Sequence, residues 1–151
     1  MKRVLIAVDG TPESHDAARF AHELLGDRAE YLVLTVADTG ALLSASFPLA
    51  DPMLAGGGAY VDPTVAKENV EQAVHEAEET VAETAHEVDD HAETIVETGS
   101  PGDVICRVAE LRSVDLIVIG SHDRNWFSRL ITPSVRSHVI DHAPCPVLVV
   151  R

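Results

Sequence analysis

Short apolar segments alternate along this chain with longer segments of helical periodicity, and this alternation restricts the possible folds more than any other feature. The apolar segments have the length of β-strands. They cover residues 4–8, 31–36, 92–97, 115–119 and 147–150. Nearly continuous apolar strands between helices are typical of a parallel sheet covered by helices on both faces. The sequence therefore predicts a doubly wound α/β fold.

Helix signals fill the intervals between these strands. Thr11-Pro12 and Ser100-Pro101 each combine an N-cap residue with a first-turn proline, and Asp103 suggests a near capping box. The predicted helices cover residues 11–25, 64–90, 100–111 and 134–142, and residues 37–62 are expected to form a loop. In the long second helix the apolar positions predicted to face inward are Val70, Val74, Ala77, Val81 and Val88. The 151 residues suit one domain, 1–151, with a core of its own.

The charge balance excludes several classes of partner. The chain has 25 acidic and 11 basic residues, a formal net charge of −14. Such a surface repels nucleic-acid backbone and anionic lipid. No apolar run approaches the ~20 residues of a membrane span, and the N-terminal run is too short for a signal peptide. We therefore predict a cytoplasmic protein, from a halophilic source or as an ordinary acidic protein, with Cys106 and Cys145 as free, buried thiols.

Two predicted strands end in residues that suit a ligand site. Asp9 follows the first strand, and Gly120 ends the fourth before a loop that leads to Ser134 at a helix start. Parallel sheets bind ligands beyond the carboxyl ends of their strands, and a helix N-terminus favours anions. Asp9 is expected either to accept hydrogen bonds from a ribose hydroxyl or a base amine, or to cap the following helix.

Four motifs give the chain a resemblance that covers essentially its whole length. They are AVDG at 7–10, ETGSPGDVI at 97–105, IGSH at 119–122 and SVRSHVIDHAPCPVLVV at 134–150. With this order and spacing, the chain resembles the universal stress protein family. The resemblance implies strand order 3-2-1-4-5, dimers that pair through the last strand, and a cytoplasmic stress-response role that is usually not catalytic.

Nucleotide-binding members of that family carry Gly-x2-Gly-x9-Gly-Ser/Thr after the fourth strand. Gly120 and Ser134 match its first and last positions, whereas Asp123 and Pro133 replace the second and third glycines. The resemblance also assigns Asp9 and the backbone of Val36 to the adenine side. The candidate nucleotide site therefore contains Ala7, Val8, Asp9, Val36, Gly120, Asp123, Ser134 and Val135.

The two replacements weaken the predicted grip on a phosphate. Pro133 has no N–H to donate. A carboxylate at Asp123, ~5 Å from a phosphate at an effective dielectric of ~20, would repel it by about 3 kcal/mol. A Mg²⁺ ion shared between Asp123 and ATP or AMP would reverse that effect. Arg124, Arg129 and Arg136 either supply positive charge or are solvated surface residues, so weak or absent nucleotide binding is favoured.

Other chemistry has little support in the sequence. His138 and His142 are four residues apart, which suits a metal on one helix face, but no third ligand is evident, and ordinary surface or cap histidines are favoured. The GxxxxGKS/T, GxGxxG and GxSxG patterns are missing, and a response-regulator receiver would need acids beyond Asp9. Trp126 and Phe127 are expected to cover the pocket or to pack on a neighbouring subunit, and simple burial is the favoured account for at least one of them. No catalytic or metal-binding residue is predicted.

Three functions remain open at the level of the sequence. The favoured one is a non-catalytic, dimeric stress-response module that acts on unknown protein clients and requires no cofactor. An adenine-nucleotide sensor is the alternative, and a slow ATPase has the least support. For the dimer, the candidate interface is the apolar edge strand with Val147, Leu148, Val149 and Val150.

Overall fold

The computed structural model describes residues 1–38, 63–120 and 135–151. Within these residues the helices and strands follow the predicted order. They are β1 (Lys2–Val8), α1 (Pro12–Leu25), β2 (Ala29–Ala37), α2 (Pro63–Val88), β3 (Glu93–Thr98), α3 (Pro101–Leu111), β4 (Leu116–Gly120), α4 (Val135–His142) and β5 (Val147–Val150). Most of the predicted loop at 37–62 lies outside the described residues, as do Asp123, Arg124, Trp126, Phe127, Arg129, Pro133 and Ser134.

The five strands form one parallel sheet in the order β3-β2-β1-β4-β5. This confirms the doubly wound fold and the predicted strand order. The order reverses between β1 and β4, whose last paired residues are Ala7 and Ile119. The carboxyl ends of these two strands therefore lie side by side, at the place where such sheets bind ligands.

Side chains that alternate along each strand divide the core into two layers. In β1, Val4, Ile6 and Val8 pack on one face of the sheet with residues of α1 and α2. Leu5 and Ala7 pack on the other face with residues of α3 and with Val139 of α4. Because both faces are covered by helices, the central strands are apolar at almost every position.

The helix starts agree with the sequence signals, fully in α1 and in part in α3. The Thr11 hydroxyl caps α1 by accepting a hydrogen bond from the Ser14 N–H at 3.3 Å. Ser100 and Pro101 occupy the predicted N-cap and first-turn positions of α3, but the Ser100 side chain makes no capping hydrogen bond. The near capping box fails as well, because the Asp103 carboxylate contacts His138 Nε2 at 2.9 Å.

The long helix α2 buries Ala77, Val81 and Val88, while Val70 and Val74 are only half-buried. It ends at Val88, two residues before the predicted end. The reason is local, because Asp89 Oδ1 accepts a hydrogen bond from the His91 N–H at 2.9 Å and so favours a turn over further helix. The glutamates predicted to face solvent do so. They are Glu71, Glu76, Glu78, Glu79, Glu83 and Glu87.

The two edge strands differ in character. On β3, Glu93 pairs with Arg112 at 2.7 Å and Glu97 pairs with Arg107 at 3.2 Å. On β5, all four residues are apolar and half-buried. In the described part of the chain, no helix is both long enough and apolar enough to cross a membrane.

Candidate functional site

The sheet brings the described members of the predicted site to one edge. Ala7 and Val8 end β1, Asp9 follows them, and Val36 lies near the end of the neighbouring strand β2. Gly120 ends β4 on the other side of β1, and Val135 begins α4. Asp123 and Ser134, the other two predicted members, lie outside the described residues.

Asp9 caps the turn into α1. Its Oδ1 accepts hydrogen bonds from the Thr11 N–H at 3.0 Å and from the Thr11 hydroxyl at 2.5 Å. This is the structural role that the sequence left open beside ligand binding. Both contacts go to Oδ1, so Oδ2 is the oxygen with capacity to accept a hydrogen bond from a ligand.

Ser14 completes this turn and was missed by the sequence analysis. Its hydroxyl is buried, accepts a hydrogen bond from the Asp9 N–H at 3.3 Å and donates one to the Thr11 carbonyl at 2.9 Å. Gly10, between them, has a φ of +76°, a conformation that favours glycine. The sequence signal for Ser14 was a small hydroxyl residue three positions after the N-cap.

Gly120 allows a close contact between β4 and α1. A Cβ atom at this position would lie 2.8 Å from the Glu13 carbonyl oxygen and 3.2 Å from the Ser14 nitrogen. Both are backbone atoms, so they cannot rotate away. The need for glycine at position 120 therefore follows from helix packing, whether or not a phosphate binds beside it.

The start of α4 packs against the start of α3. A Cβ atom at Gly102 would lie 2.7 Å from His138 Cδ2, and the His138 ring stacks on His142 with centroids 4.3 Å apart. His142 Nδ1 donates to the His138 carbonyl at 2.9 Å, while His138 Nε2 points to Asp103. The two rings therefore do not converge on a common ion. Across residues 1–38, 63–120 and 135–151, no three His, Cys, Asp or Glu side chains are grouped to hold a metal.

The two cysteines are free, but they are half-buried rather than buried. Both lie at the margin of the core layer beneath α3, where helix and strand leave part of each side chain exposed. Burial raises the pKa of the Cys106 thiol, and Asp103 adds to the effect. Burial also raises the pKa of Cys145. A raised pKa leaves less thiolate at neutral pH, so neither cysteine has the character of a nucleophile.

Comparisons with known proteins agree with this architecture. The profile of the universal stress protein family matches residues 1–151. A universal stress protein from Methanocaldococcus jannaschii is 28% identical over 151 residues, which cover 99% of this chain and 82% of the relative.

Two solved structures show the same fold. Universal stress protein UspA from Lactobacillus plantarum superposes with a TM-score of 0.72 at 24% identity, covering 99% of this chain and 97% of the other. A universal stress protein family protein from Arabidopsis thaliana with AMP bound has a TM-score of 0.63 at 20% identity, with coverages of 99% and 91%. With the family profile matching from the first residue to the last, the chain belongs to the universal stress protein family.

Proposed function

We propose that this protein is a non-catalytic, homodimeric module of the cytoplasmic stress response whose crevice binds adenine nucleotides weakly or not at all. The observation that carries this proposal is the bonding of Asp9, whose Oδ1 already serves the α1 turn. The sequence of the following loop supports it, because Asp123 brings negative charge and Pro133 lacks an N–H donor.

An adenine-nucleotide sensor is the second candidate function. It is favoured by the adjacent ends of β1 and β4 and by Asp9 Oδ2, which retains capacity for a hydrogen bond. The Arabidopsis relative of similar fold carries AMP. In this candidate, Mg²⁺ would bridge Asp123 and the phosphates of ATP or AMP, since Mg²⁺ combines one or two carboxylates with phosphate oxygens.

The proposed dimer forms through the outer edge of β5. Among the described strands, β5 pairs with β4 alone, so its second edge has backbone groups that another strand can pair with. All four of its side chains are apolar and half-buried. A second copy of β5 would supply both the missing hydrogen bonds and apolar cover.

Exposed apolar residues extend this edge on both faces of the sheet. Phe20 and Leu24 are 43% and 58% exposed, and they lie on the flank of α1 opposite His22, which faces Tyr31. That flank faces the β5 side of the sheet, because α1 packs on β4 and β5 while α2 packs on β2 and β3. On the other face, Ile140 of α4 is 53% exposed, on the side turned away from His138 and α3.

Native mass spectrometry of the purified protein tests the proposal directly. The expected result is a dimer mass without a bound nucleotide. Calorimetry with ATP, with and without Mg²⁺, then measures the affinity of the crevice. Micromolar ATP binding without metal, or ATP that co-purifies with the protein, would reject weak binding in favour of the nucleotide sensor.

A further inference from the structure

In the contact between α3 and α4, the imidazole ring of His138 packs against Gly102, which has no side chain. Gly102 is buried in the first turn of α3. A Cβ atom on it would lie 2.7 Å from His138 Cδ2, 2.9 Å from Cγ and 3.1 Å from Cβ. Rotation of the side chain can move Cγ and Cδ2 but not Cβ. An alanine at position 102 would therefore displace the His138 ring and press on α4 by a few tenths of an ångström through the His138 Cβ.

Polar and aromatic contacts fix the same ring at its other sides. His138 Nε2 lies 2.9 Å from Asp103 Oδ1, and the His138 side chain is 30% exposed. The ring stacks on His142, with centroids 4.3 Å apart and an angle of 20° between the planes. We call Gly102, Asp103 and His138 the α3–α4 clasp.

The clasp lies at the crevice end of the molecule. In a parallel α/β sheet the helices run opposite to the strands, so helix N-termini lie at the carboxyl ends of the strands. Gly102 and Asp103 are in the first turn of α3, and His138 is three residues after Val135, the first residue of α4. Within α4, which has eight residues, Val139 is the only fully buried one. The clasp therefore adds to the core contacts of Val135 and Val139 as a restraint on where this short helix begins.

We propose that His138 is a positioning residue for the crevice, holding the N-terminus of α4 in register with Asp9 and Gly120 through its seat on Gly102 and its bond to Asp103. The effect on ligand affinity rests on the proposed nucleotide-binding crevice, whereas the positioning of α4 does not. N–H groups at a helix start stabilise an anion only when they point at it, so a shift of α4 would weaken phosphate binding.

A compensation experiment tests the seat of the ring. Gly102→Ala should lower the denaturation midpoint of the wild-type protein, because the Cβ displaces His138. In a His138→Ala background the same change should raise the midpoint, because alanine is a better helix former than glycine and the obstruction is gone. If Gly102→Ala changed the denaturation midpoint by the same sign and amount in both backgrounds, the proposed packing of His138 on Gly102 would be overturned.

A second experiment tests the positioning role. His138→Ala should shift the backbone amide NMR signals of Val135 and Arg136 and weaken ATP binding about fivefold or more, the lower end of typical couplings between sites. His138→Gln retains a donor at the reach of Nε2 and should restore most of both properties. Asp141→Asn changes an exposed residue of α4 outside the clasp and serves as the control.

The outcomes separate this inference from the proposed function. Unchanged amide signals at Val135 in His138→Ala would overturn the positioning role, whatever the affinity for ATP. If the wild-type protein binds no ATP at millimolar concentration, the nucleotide sensor is rejected, and the amide signals alone decide whether His138 positions α4.

Discussion

At the scale of single residues, the turn from Asp9 to Ser14 shows how one carboxylate can serve both folding and ligand binding. Asp9 Oδ1 receives two hydrogen bonds from Thr11, and Ser14 receives one from the Asp9 N–H. These contacts hold the α1 N-terminus against the end of β1. Both Thr11 contacts use Oδ1, so Oδ2 is the oxygen of Asp9 that is left for a ligand.

Replacement of Asp9 therefore affects stability before any ligand is added. Asp9→Ala removes two half-buried hydrogen bonds and should lower the free energy of unfolding by about 1 kcal/mol. Asp9→Asn keeps an acceptor at the Oδ1 position and should cost much less. Urea denaturation of the three proteins measures both effects. Equal stability of Asp9→Ala and the wild type would contradict a capping role.

Gly120→Ala should be more damaging. The new Cβ would lie 2.8 Å from the Glu13 carbonyl oxygen, and α1 can avoid it only by moving away from β4. Overpacking of this kind costs about 1–3 kcal/mol. Thermal unfolding of the unliganded protein should show the loss without any nucleotide present. A stability equal to that of the wild type would mean that position 120 is restricted only by the ligand.

The two loop replacements make a prediction about affinity. Asp123→Gly removes a negative charge, and Pro133→Gly restores an N–H donor beside Ser134. Together they should tighten ATP binding by about two decades or more, since a charge-assisted hydrogen bond contributes roughly 1.5–3 kcal/mol. Adding Asp9→Ala should cancel the gain. Calorimetry without Mg²⁺ measures the affinity for ATP. An unchanged affinity in the double variant would show that Asp123 and Pro133 do not limit binding.

At the scale of helices and strands, most of the architecture could be predicted, because each element has its own period and boundary residues. All nine predicted elements are present, with ends that differ from the predicted ones by at most two residues. The early end of α2 has a local cause, the hydrogen bond from the His91 N–H to Asp89, whereas other deviations come from contacts that are distant in sequence. β1 begins at Lys2 because it pairs with Ala29 of β2, a partner 27 positions away. The near capping box of α3 is absent because the Asp103 carboxylate contacts His138 of α4.

The candidate site was less predictable than the fold. The positions of Asp9, Val36 and Gly120 at one sheet edge followed from the pattern, since carboxyl ends of parallel strands meet there. Their contacts did not follow. The packing of Gly120 on Glu13 and the Ser14 hydrogen bonds depend on how closely α1 approaches β4, which no local pattern encodes.

Asp115 links the starts of β1 and β4 and gives the fold an acid-sensitive contact. Its Oδ1 accepts from Lys2 Nζ at 2.6 Å and its Oδ2 from the Arg3 N–H at 2.9 Å. The hydrogen bond from Lys2, with that from the Arg3 backbone, lowers the pKa of Asp115. Because the folded pKa is lowered, the contribution to stability is present above the ordinary aspartate pKa of about 3.9 and is lost as pH falls through the lower folded value.

The lowered pKa of Asp115 predicts how the stability of the protein depends on pH. The melting temperature of the wild type should fall as pH drops from 5 toward 2, and part of that fall should be absent in Asp115→Asn. Glu68→Gln changes an exposed acid of α2 and serves as a control for net charge. Parallel melting curves for the wild type and Asp115→Asn over this range would contradict the role given to Asp115.

The exposed edge of β5 predicts how the dimer can be split. Val149→Lys places a charge in the proposed interface and should yield monomers at micromolar concentration in light scattering. Val65→Lys changes an exposed valine on α2, 50% accessible and distant from this edge, and should leave the dimer intact. Leu24→Lys tests the α1 flank and should weaken the dimer without touching the core. A monomeric wild-type protein in high salt would count decisively against the interface.

At the scale of the whole molecule, net charge dominates the response to solvent. The charge of −14 produces self-repulsion that salt screens, with a Debye length of about 10 Å at 0.1 M and about 3 Å at 1 M. The acidic side chains of α2 lie on its exposed face, where screening is most effective. The melting temperature should therefore rise over the molar range of KCl. A flat or falling curve would remove the proposal of a halophilic origin.

The contrast between β3 and β5 also limits how large an assembly can become. The β3 edge carries Glu93 and Glu97 with their arginine partners, and charged edges resist strand addition. When two copies join symmetrically through β5, their β5 strands pair with each other. The outer strands of the joined sheet are then the two charged β3 strands. Such an isologous pair is closed. We therefore expect the proposed dimer not to extend into filaments, because the outer strands that it leaves in the described sheet are the charged β3 strands.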